Sequence, residues 1–168
     1  MDLGSVAIRD LVAADVGVYR ALWLSALTEH AHNFRTALED DPKPGIPTRF
    51  STDSFTLGAW SGNELYGIVS LDCEPRAKLK HKALLFRMFV HPKTSSAGLG
   101  RGLLAATIAK ARAATDLQQI TLTVLATNVR AQTLYTSMGF EEFARERASV
   151  RIGDEFVDEL QMVLFLYR

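Results

Sequence analysis

Three closely spaced glycines are the feature of this sequence with the clearest chemical use. Gly98, Gly100 and Gly102 stand between an apolar run that ends at Val90 and a segment whose apolar residues recur at helical spacing. Glycine lets the backbone approach a ligand without an intervening side chain. The start of a helix carries unpaired N–H groups and a partial positive charge, which suit an anion such as a pyrophosphate. The spacing therefore predicts a phosphate cradle, although a tight strand-to-helix turn explains the same residues.

Two common phosphate-binding loops do not fit these glycines. A Walker A loop ends in Gly-Lys-Ser or Gly-Lys-Thr, but Gly102 is followed by Leu103. The dinucleotide fingerprint G-x-G-x-x-G would need its third glycine at position 103. The glycines therefore indicate a phosphate cradle of another kind.

The apolar periodicity divides the chain into strands and helices that must position the cradle. Alternating or continuous short apolar runs indicate strands, and apolar residues at i, i+3 and i+4 indicate helices. In chain order the predicted elements are a strand near Val6, a helix from about Asp15, strands over 55–60, 65–71 and 84–90, a helix over 101–114, a strand over 120–124, a helix from Asn128 to Gly139, and strands over 148–152 and 156–166. This order predicts one α/β domain over residues 1–168, whose middle sheet is built from neighbouring hairpin strands.

The composition narrows the class of protein. Of the 168 residues, 48% are hydrophobic and 23% are charged, and 19 basic residues balance 19 acidic ones. A net charge of zero gives no reason to expect nucleic acid or a membrane as a partner. The single Cys73 excludes an intrachain disulfide and fits a reducing compartment. The N-terminus lacks a signal-peptide pattern, and no apolar run approaches the ~20 residues that span a bilayer. We therefore expect a cytoplasmic protein.

Two segments resemble the motifs of the GNAT superfamily of N-acetyltransferases. The first is Ser-Ser-Ala-Gly-Leu-Gly at 95–100, where the family has Arg/Gln-x-x-Gly-x-Gly/Ala. The second runs from Leu122 to Phe140 and matches the family pattern L-x-V-x-x-x-N-x-x-A-x-x-L-Y-x-x-x-G-F at every fixed position. The order of the predicted elements resembles the family too. The resemblance covers nearly the whole chain and implies a mixed, mostly antiparallel central sheet flanked by helices.

The resemblance implies that acetyl-CoA binds along the strand and the glycine loop. The pantetheine arm would pair with the strand that ends in Met88, Phe89 and Val90, as an added strand would. The pyrophosphate would rest on N–H groups at the start of the following helix. The loop residues implied in cofactor binding are Ser95, Ser96, Ala97, Gly98, Leu99, Gly100, Arg101 and Gly102. Arg101 would add positive charge near the phosphates, or be a solvated residue of the first helical turn.

The resemblance also assigns chemistry to Tyr135. Direct transfer of an acetyl group to an amine expels a thiolate, and a tyrosine with an ordinary pKa of about 10 is well matched to protonate it. The alternative is that Tyr135 packs on the core face beside Leu134 and Met138. Asn128 is expected to cap the helix that carries Tyr135, and in the family this position also lies close to the cofactor.

The sequence departs from the family pattern at two places. Ser95 replaces the usual Arg or Gln, which removes a charged phosphate donor. Relatives often carry a Glu on the strand before the loop that acts through water as the general base, but residues 83–88 contain no carboxylate. Asp72 and Glu74 on the preceding strand are possible substitutes, yet a polar strand end explains them equally well. No general base is assigned from the sequence.

The acceptor site is expected on the first helix and the loop after it, where members of the family build it. Trp23, His30, His32 and Phe34 are its candidate residues. His30-x-His32 would bind a metal only if its loop brought carboxylates inward, and we expect no metal. Cys73 would need an activating histidine to act as a nucleophile, so a small core residue is expected there.

The resemblance implies an acetyl-CoA-dependent N-acetyltransferase that acts directly on a primary amine of a small molecule or a protein. The alternative is a non-catalytic acyl-CoA-binding sensor or interaction module of the same fold. The absent carboxylate favours that alternative, and the tyrosine at position 135 argues against it. The apolar residues of the C-terminal hairpin around Gly153-Asp154 suggest a homodimer, although core burial explains them too.

Overall fold

A mixed β-sheet with helices on both faces forms the centre of the molecule. The structure, a computed structural model, describes residues 5–114 and 116–167, without the side chains of residues 95–97. Within those ranges the strands are β1 (Val6–Asp10), β2 (Ser54–Ser61), β3 (Glu64–Cys73), β4 (Lys82–Val90), β5 (Gln119–Leu125), β6 (Glu141–Ile152) and β7 (Glu155–Phe165). The α-helices are α1 (Val16–Glu29), α2 (Leu99–Ala113) and α3 (Val129–Ser137).

The strand order confirms the predicted class of fold. Seven strands form one sheet in the order β1-β2-β3-β4-β5-β7-β6. Strands β1 to β4 pair antiparallel with their sequence neighbours, and β7 pairs antiparallel with both β5 and β6. Strands β4 and β5 pair in parallel, with α2 as the crossover between them. The sheet is therefore mixed and mostly antiparallel, as expected.

Two apolar clusters cover the two faces of the sheet. Along β3, Val69 and Leu71 belong to the larger cluster, which contains the buried side of α2 and Tyr135 of α3. Ile68 points the opposite way, into a smaller cluster built around α1. We call these sides the α2 face and the α1 face. None of the helices in the described ranges has both the length and the apolar character needed to cross a bilayer.

Some element boundaries differ from the predicted ones. Strand β4 begins two residues early, at Lys82, and α2 begins at Leu99 instead of 101. Strand β6 begins at Glu141, seven residues before the predicted start at 148. It lies at the edge of the sheet, and residues 141–148 are mostly exposed and rich in charge, so no apolar alternation marks them.

Candidate active site

A gap between β4 and β5 opens the sheet at its centre. Within the described residues, the two strands pair only at Lys82–Gln119, Ala83–Ile120 and Leu84–Thr121. Residues 85–90 of β4 therefore turn backbone N–H and C=O groups towards a gap, where the amides of a ligand can meet them. A cavity of about 910 Å³ lies in this region.

A bulge in β4 changes which face its side chains meet. The register between β3 and β4 shifts between Ile68 and Ser70. Arg87 of the bulge has a φ of 48°, which is uncommon for a residue with a side chain. As a result Leu85 belongs to the cluster on the α2 face, whereas Phe89, four residues later, belongs to the cluster on the α1 face.

The glycines form the predicted start of α2. Gly98 has a φ of 73° and joins the short 3-10 helix Pro92–Ala97 to α2. Nothing lies within 4 Å of a Cβ placed at Gly98, but its left-handed backbone favours glycine. A Cβ at Gly100 would lie 3.1 Å from Leu134 Cδ2. The glycine at 100 therefore allows α2 and α3 to pack closely, and both glycines line the cavity.

The other residues of the predicted loop lie in different environments. Arg101 lines the cavity, and its Nη2 donates to Ser137 Oγ at 2.9 Å, so its charge is held beside α3. Leu99 is a core residue, and the Gly102 N–H already donates to Gly98 O at 3.0 Å. Neither Leu99 nor Gly102 lines the cavity. The backbone of Ser95, Ser96 and Ala97 belongs to the 3-10 helix before Gly98, and their side chains lie outside the described residues. Their part in binding the pyrophosphate stays a prediction.

Tyr135 lies in the wall of the cavity on the α2 face. The Asn128 side chain accepts a hydrogen bond from the Ala131 N–H at 3.2 Å, so the predicted N-cap is confirmed. Two turns later, Tyr135 is 8% exposed, with its ring 5.8 Å from that of Phe140. No hydrogen bond among the described residues involves its hydroxyl. Burial raises the pKa of Tyr135 well above its ordinary value, so the hydroxyl keeps its proton at neutral pH. Both Asn128 and Tyr135 line the cavity.

Aromatic rings line the cavity on the α1 face. The ring of Phe34 lies 5.0 Å from that of Trp23 and 6.2 Å from that of Phe89. The His30 ring lies 5.6 Å from that of Phe89. Trp23 is 1% exposed, so it supports Phe34 from behind and offers little surface itself. His32 is exposed and does not line the cavity, whereas all the other residues named in this paragraph do. Met88 and Val90 complete the β4 side of the cavity.

Glu159 is a residue of the cavity that the sequence analysis missed. It lies on β7 opposite Leu125 of β5, lines the cavity and is 2% exposed. Its Oε2 accepts a hydrogen bond from Ser149 Oγ at 2.6 Å and lies 3.5 Å from Arg35 Nη1. The next residue, Leu160, belongs to the cluster on the α2 face, so the Glu159 side chain points to the α1 face. Asp158 and Gln161 lie close to it in β7, so no pattern in the sequence marked Glu159 as a buried carboxylate.

An ion pair ties the loop after α1 to β4. Arg87 Nη2 lies 2.7 Å from Asp41 Oδ2, and Arg87 Nη1 donates to the Tyr19 hydroxyl at 3.0 Å. The same Asp41 oxygen accepts a hydrogen bond from Trp23 Nε1 at 3.1 Å. The Arg87 and Asp41 side chains are 22% and 17% exposed, so solvent screens this pair less than a surface pair. These contacts hold the loop that carries Phe34 over the α1 face.

The remaining candidate residues lie away from the cavity. Asp72 forms an ion pair with Arg49 at 2.8 Å and Glu74 one with Arg76 at 2.6 Å, and neither acid lines the cavity. Their positions argue against either as the general base. Cys73 is a core residue, as predicted, and burial raises the pKa of its thiol. In the part of the chain that is described, no group of three His, Cys, Asp or Glu side chains is arranged to hold a metal ion.

Comparisons with known proteins point to one family. The sequence model of the acetyltransferase (GNAT) domain matches residues 26–157. An acetyltransferase of the GNAT family from Streptococcus pneumoniae is 25% identical and superimposes with a TM-score of 0.81, covering 96% of this chain and 99% of that one.

Two further solved structures share the fold at lower identity. A putative acetyltransferase from Salmonella typhimurium, solved with its cofactor acetyl-CoA, has a TM-score of 0.81 at 18% identity, covering 98% of this chain and 96% of that one. The ribosomal-protein-S18-alanine N-acetyltransferase from Escherichia coli has a TM-score of 0.76 at 19% identity, with the same two coverages.

Proposed function

This chain belongs to the acetyltransferase (GNAT) domain family, and on that premise we propose that it transfers the acetyl group of acetyl-CoA directly to a primary amine. The observation that carries the proposal is a cavity where three features meet: the unpaired part of β4, the glycine start of α2, and Tyr135. They suit three parts of acetyl-CoA, namely the pantetheine amides, the pyrophosphate and the thioester.

The proposed cofactor site uses backbone groups more than side chains. Residues 88–90 would pair with the amides of the pantetheine arm, as one strand pairs with the next. The start of α2 at Gly98 and Gly100 would hold the pyrophosphate through N–H groups and the positive end of the helix dipole. Arg101 would add a charge close by, and Asn128 would border the arm from the start of α3. Each of these residues lines the cavity.

The proposed chemistry needs one proton donor at the sulfur. Acetyl-CoA supplies an acetyl group that is activated as a thioester. Transfer forms a C–N bond and breaks the C–S bond, which leaves an electron pair on the sulfur. We assign the proton for that sulfur to the Tyr135 hydroxyl, because it is protonated at neutral pH and lies at the cavity wall. The tyrosine recovers a proton from the nitrogen that becomes the amide.

The predicted homodimer and cytoplasmic location stay predictions. Met162 and Leu164 of the C-terminal hairpin belong to the core, so burial accounts for part of its apolar character. Phe143 and Phe156 are 55% and 65% exposed on the same hairpin, and we propose that they contact a second copy. Phe143 lies on β6, which is an edge strand of the sheet within the described residues, so such a contact would extend from that edge.

A thiol-release assay tests the proposed transfer. Purified protein is mixed with acetyl-CoA and a panel of primary amines, and the free thiol of CoA is measured over time. Release that depends on both the amine and the protein is expected. Binding of acetyl-CoA without release on any amine would favour the alternative, a non-catalytic acyl-CoA-binding module. Absence of acetyl-CoA binding in calorimetry would refute both functions.

A further inference from the structure

A buried carboxylate in the cavity has one hydrogen bond and one ion pair among the described residues. Glu159 is 2% exposed, and its contacts are a neutral hydroxyl, Ser149 Oγ at 2.6 Å, and one guanidinium, Arg35 Nη1 at 3.5 Å. Both contacts reach Oε2, and the Arg35 side chain is itself 63% exposed. A buried charge lowers stability unless it is closely paired and hydrogen-bonded. Among the described residues, the carboxylate therefore has no cationic partner nearer than Arg35 at 3.5 Å.

The position of Glu159 suits the approach of an amine. The cavity reaches both faces of the sheet through the gap between β4 and β5, with Tyr135 on the α2 face and Glu159 on the α1 face. The proposed pyrophosphate site at Gly98 and Gly100 belongs to the α2 side. An acceptor that meets the thioester from the opposite side would enter the part of the cavity that Glu159 lines.

The α1-face walls of the cavity suit a cation with an apolar body. Phe34, Phe89 and His30 line the same cavity, and the rings of Phe34 and His30 each contact that of Phe89. Aromatic faces attract cations and also bury hydrocarbon. Arg35 already places a cation near the carboxylate, and as an exposed side chain it is free to turn away when a ligand ammonium arrives.

We propose that Glu159 binds the ammonium group of the acceptor and takes one proton from it. The acceptor class is then a primary amine that is cationic in water and carries an aromatic or apolar substituent. The carboxylate gains the proton, and the neutral amine keeps the lone pair that forms the C–N bond. Glu159 releases its proton to water after the product leaves. This inference rests on the proposed function, since it concerns the acceptor side of the same cavity.

Phenethylamine is the probe, because it has one ammonium group and one aromatic ring. Its binding to CoA-saturated protein is measured by calorimetry for wild type, Glu159→Gln and Glu155→Gln. Glu155 lies on the same strand but is exposed and outside the cavity lining, so it is a matched control. Loss of the charge at 159 should weaken binding roughly 10- to 100-fold. The control should stay within about twofold of wild type.

Thermal unfolding separates an amine-binding role from a structural one. Glu159→Gln should keep or raise the Tm, because it removes an under-partnered buried charge while keeping the shape of the side chain. A lowered Tm with unchanged phenethylamine binding would overturn the proposal. Failure of phenethylamine to bind the wild type would overturn it too. Absence of thiol release with every amine would refute the proposed transfer alone, because the binding experiment involves no turnover.

Discussion

Replacement of Tyr135 by phenylalanine removes the phenolic hydroxyl group and almost nothing else. The ring would keep its place 5.8 Å from Phe140, and no hydrogen bond among the described residues is lost. General acid catalysis typically contributes ~10²–10⁴-fold, which is about 3 to 5 kcal/mol at 1.36 kcal/mol per factor of ten. We therefore expect kcat of Tyr135→Phe to fall by a factor in that range, while the affinity for acetyl-CoA changes little.

The stability of the Tyr135→Phe variant should hardly differ from that of wild type at neutral pH. The Tyr135 hydroxyl borders the cavity and has no hydrogen bond to lose among the described residues, so the free energy of unfolding should change by less than about 1 kcal/mol. Burial raises the pKa of Tyr135 in the folded state, and the hydroxyl is protonated in both states below the unfolded value of about 10. Stability is lost only as the pH rises above that value, because the unfolded chain then ionises first. The variant should therefore resist alkaline unfolding better than wild type.

A single-turnover experiment gives the decisive measurement. Protein is held in excess over acetyl-CoA at a saturating amine concentration, so that product release does not limit the observed rate. If the variant shows the wild-type rate, with chemistry shown to be rate-limiting, the Tyr135 hydroxyl is not the proton donor and the residue serves packing. If the variant loses both acetyl-CoA binding and its fold, the hydroxyl has a structural role that the contacts do not explain.

Three further experiments test the cradle, the loop and the assembly. Gly100→Asp adds a negative charge and a Cβ 3.1 Å from Leu134 Cδ2. Acetyl-CoA binding in calorimetry should disappear, while circular dichroism should show a folded protein. Unchanged affinity for acetyl-CoA would contradict the proposed phosphate cradle. Asp41→Asn removes the ion pair with Arg87, so KM for the amine should rise roughly two- to fivefold with acetyl-CoA affinity preserved. Asp40→Asn, at an exposed neighbour, should leave KM unchanged, and an equal effect of both changes would mean that the ion pair does not position the loop. Light scattering at micromolar concentration should give the mass of two chains, and a monomer would contradict the proposed contact at Phe143 and Phe156.

Features that depend on local backbone conformation could be predicted from residue types. The left-handed Gly98 and the capping Asn128 lie where their spacing placed them, because glycine and asparagine are favoured at such positions regardless of distant contacts. The apolar periods likewise predicted the order of strands and helices. The edge strand β6 escaped detection over residues 141–148, since an exposed strand carries no apolar signal.

Features that depend on distant contacts could not be predicted. Glu159 is buried by packing between β5 and β6, and its cationic partner Arg35 lies on the loop after α1, far from β7 in the sequence. The bulge at Arg87 could not be predicted either, because arginine is not a residue type that favours a positive φ. The ion pair between Arg87 and Asp41 forms only when the long loop after α1 folds over the sheet, so the sequence does not indicate it.

The short pairing between β4 and β5 has a consequence for how the molecule holds together. It divides the sheet into two halves, β1–β4 and β5–β7–β6. Within the described residues, only three residue pairs join these halves. A bound acetyl-CoA, laid along residues 85–90, would fill the gap beyond these pairs and link the two halves of the sheet. Ligand at a hundred times its Kd stabilises a fold by about 2.7 kcal/mol. Deuterium exchange at the β4 amides beyond Leu84 would therefore slow when acetyl-CoA is bound. The free energy of unfolding would rise with the concentration of acetyl-CoA.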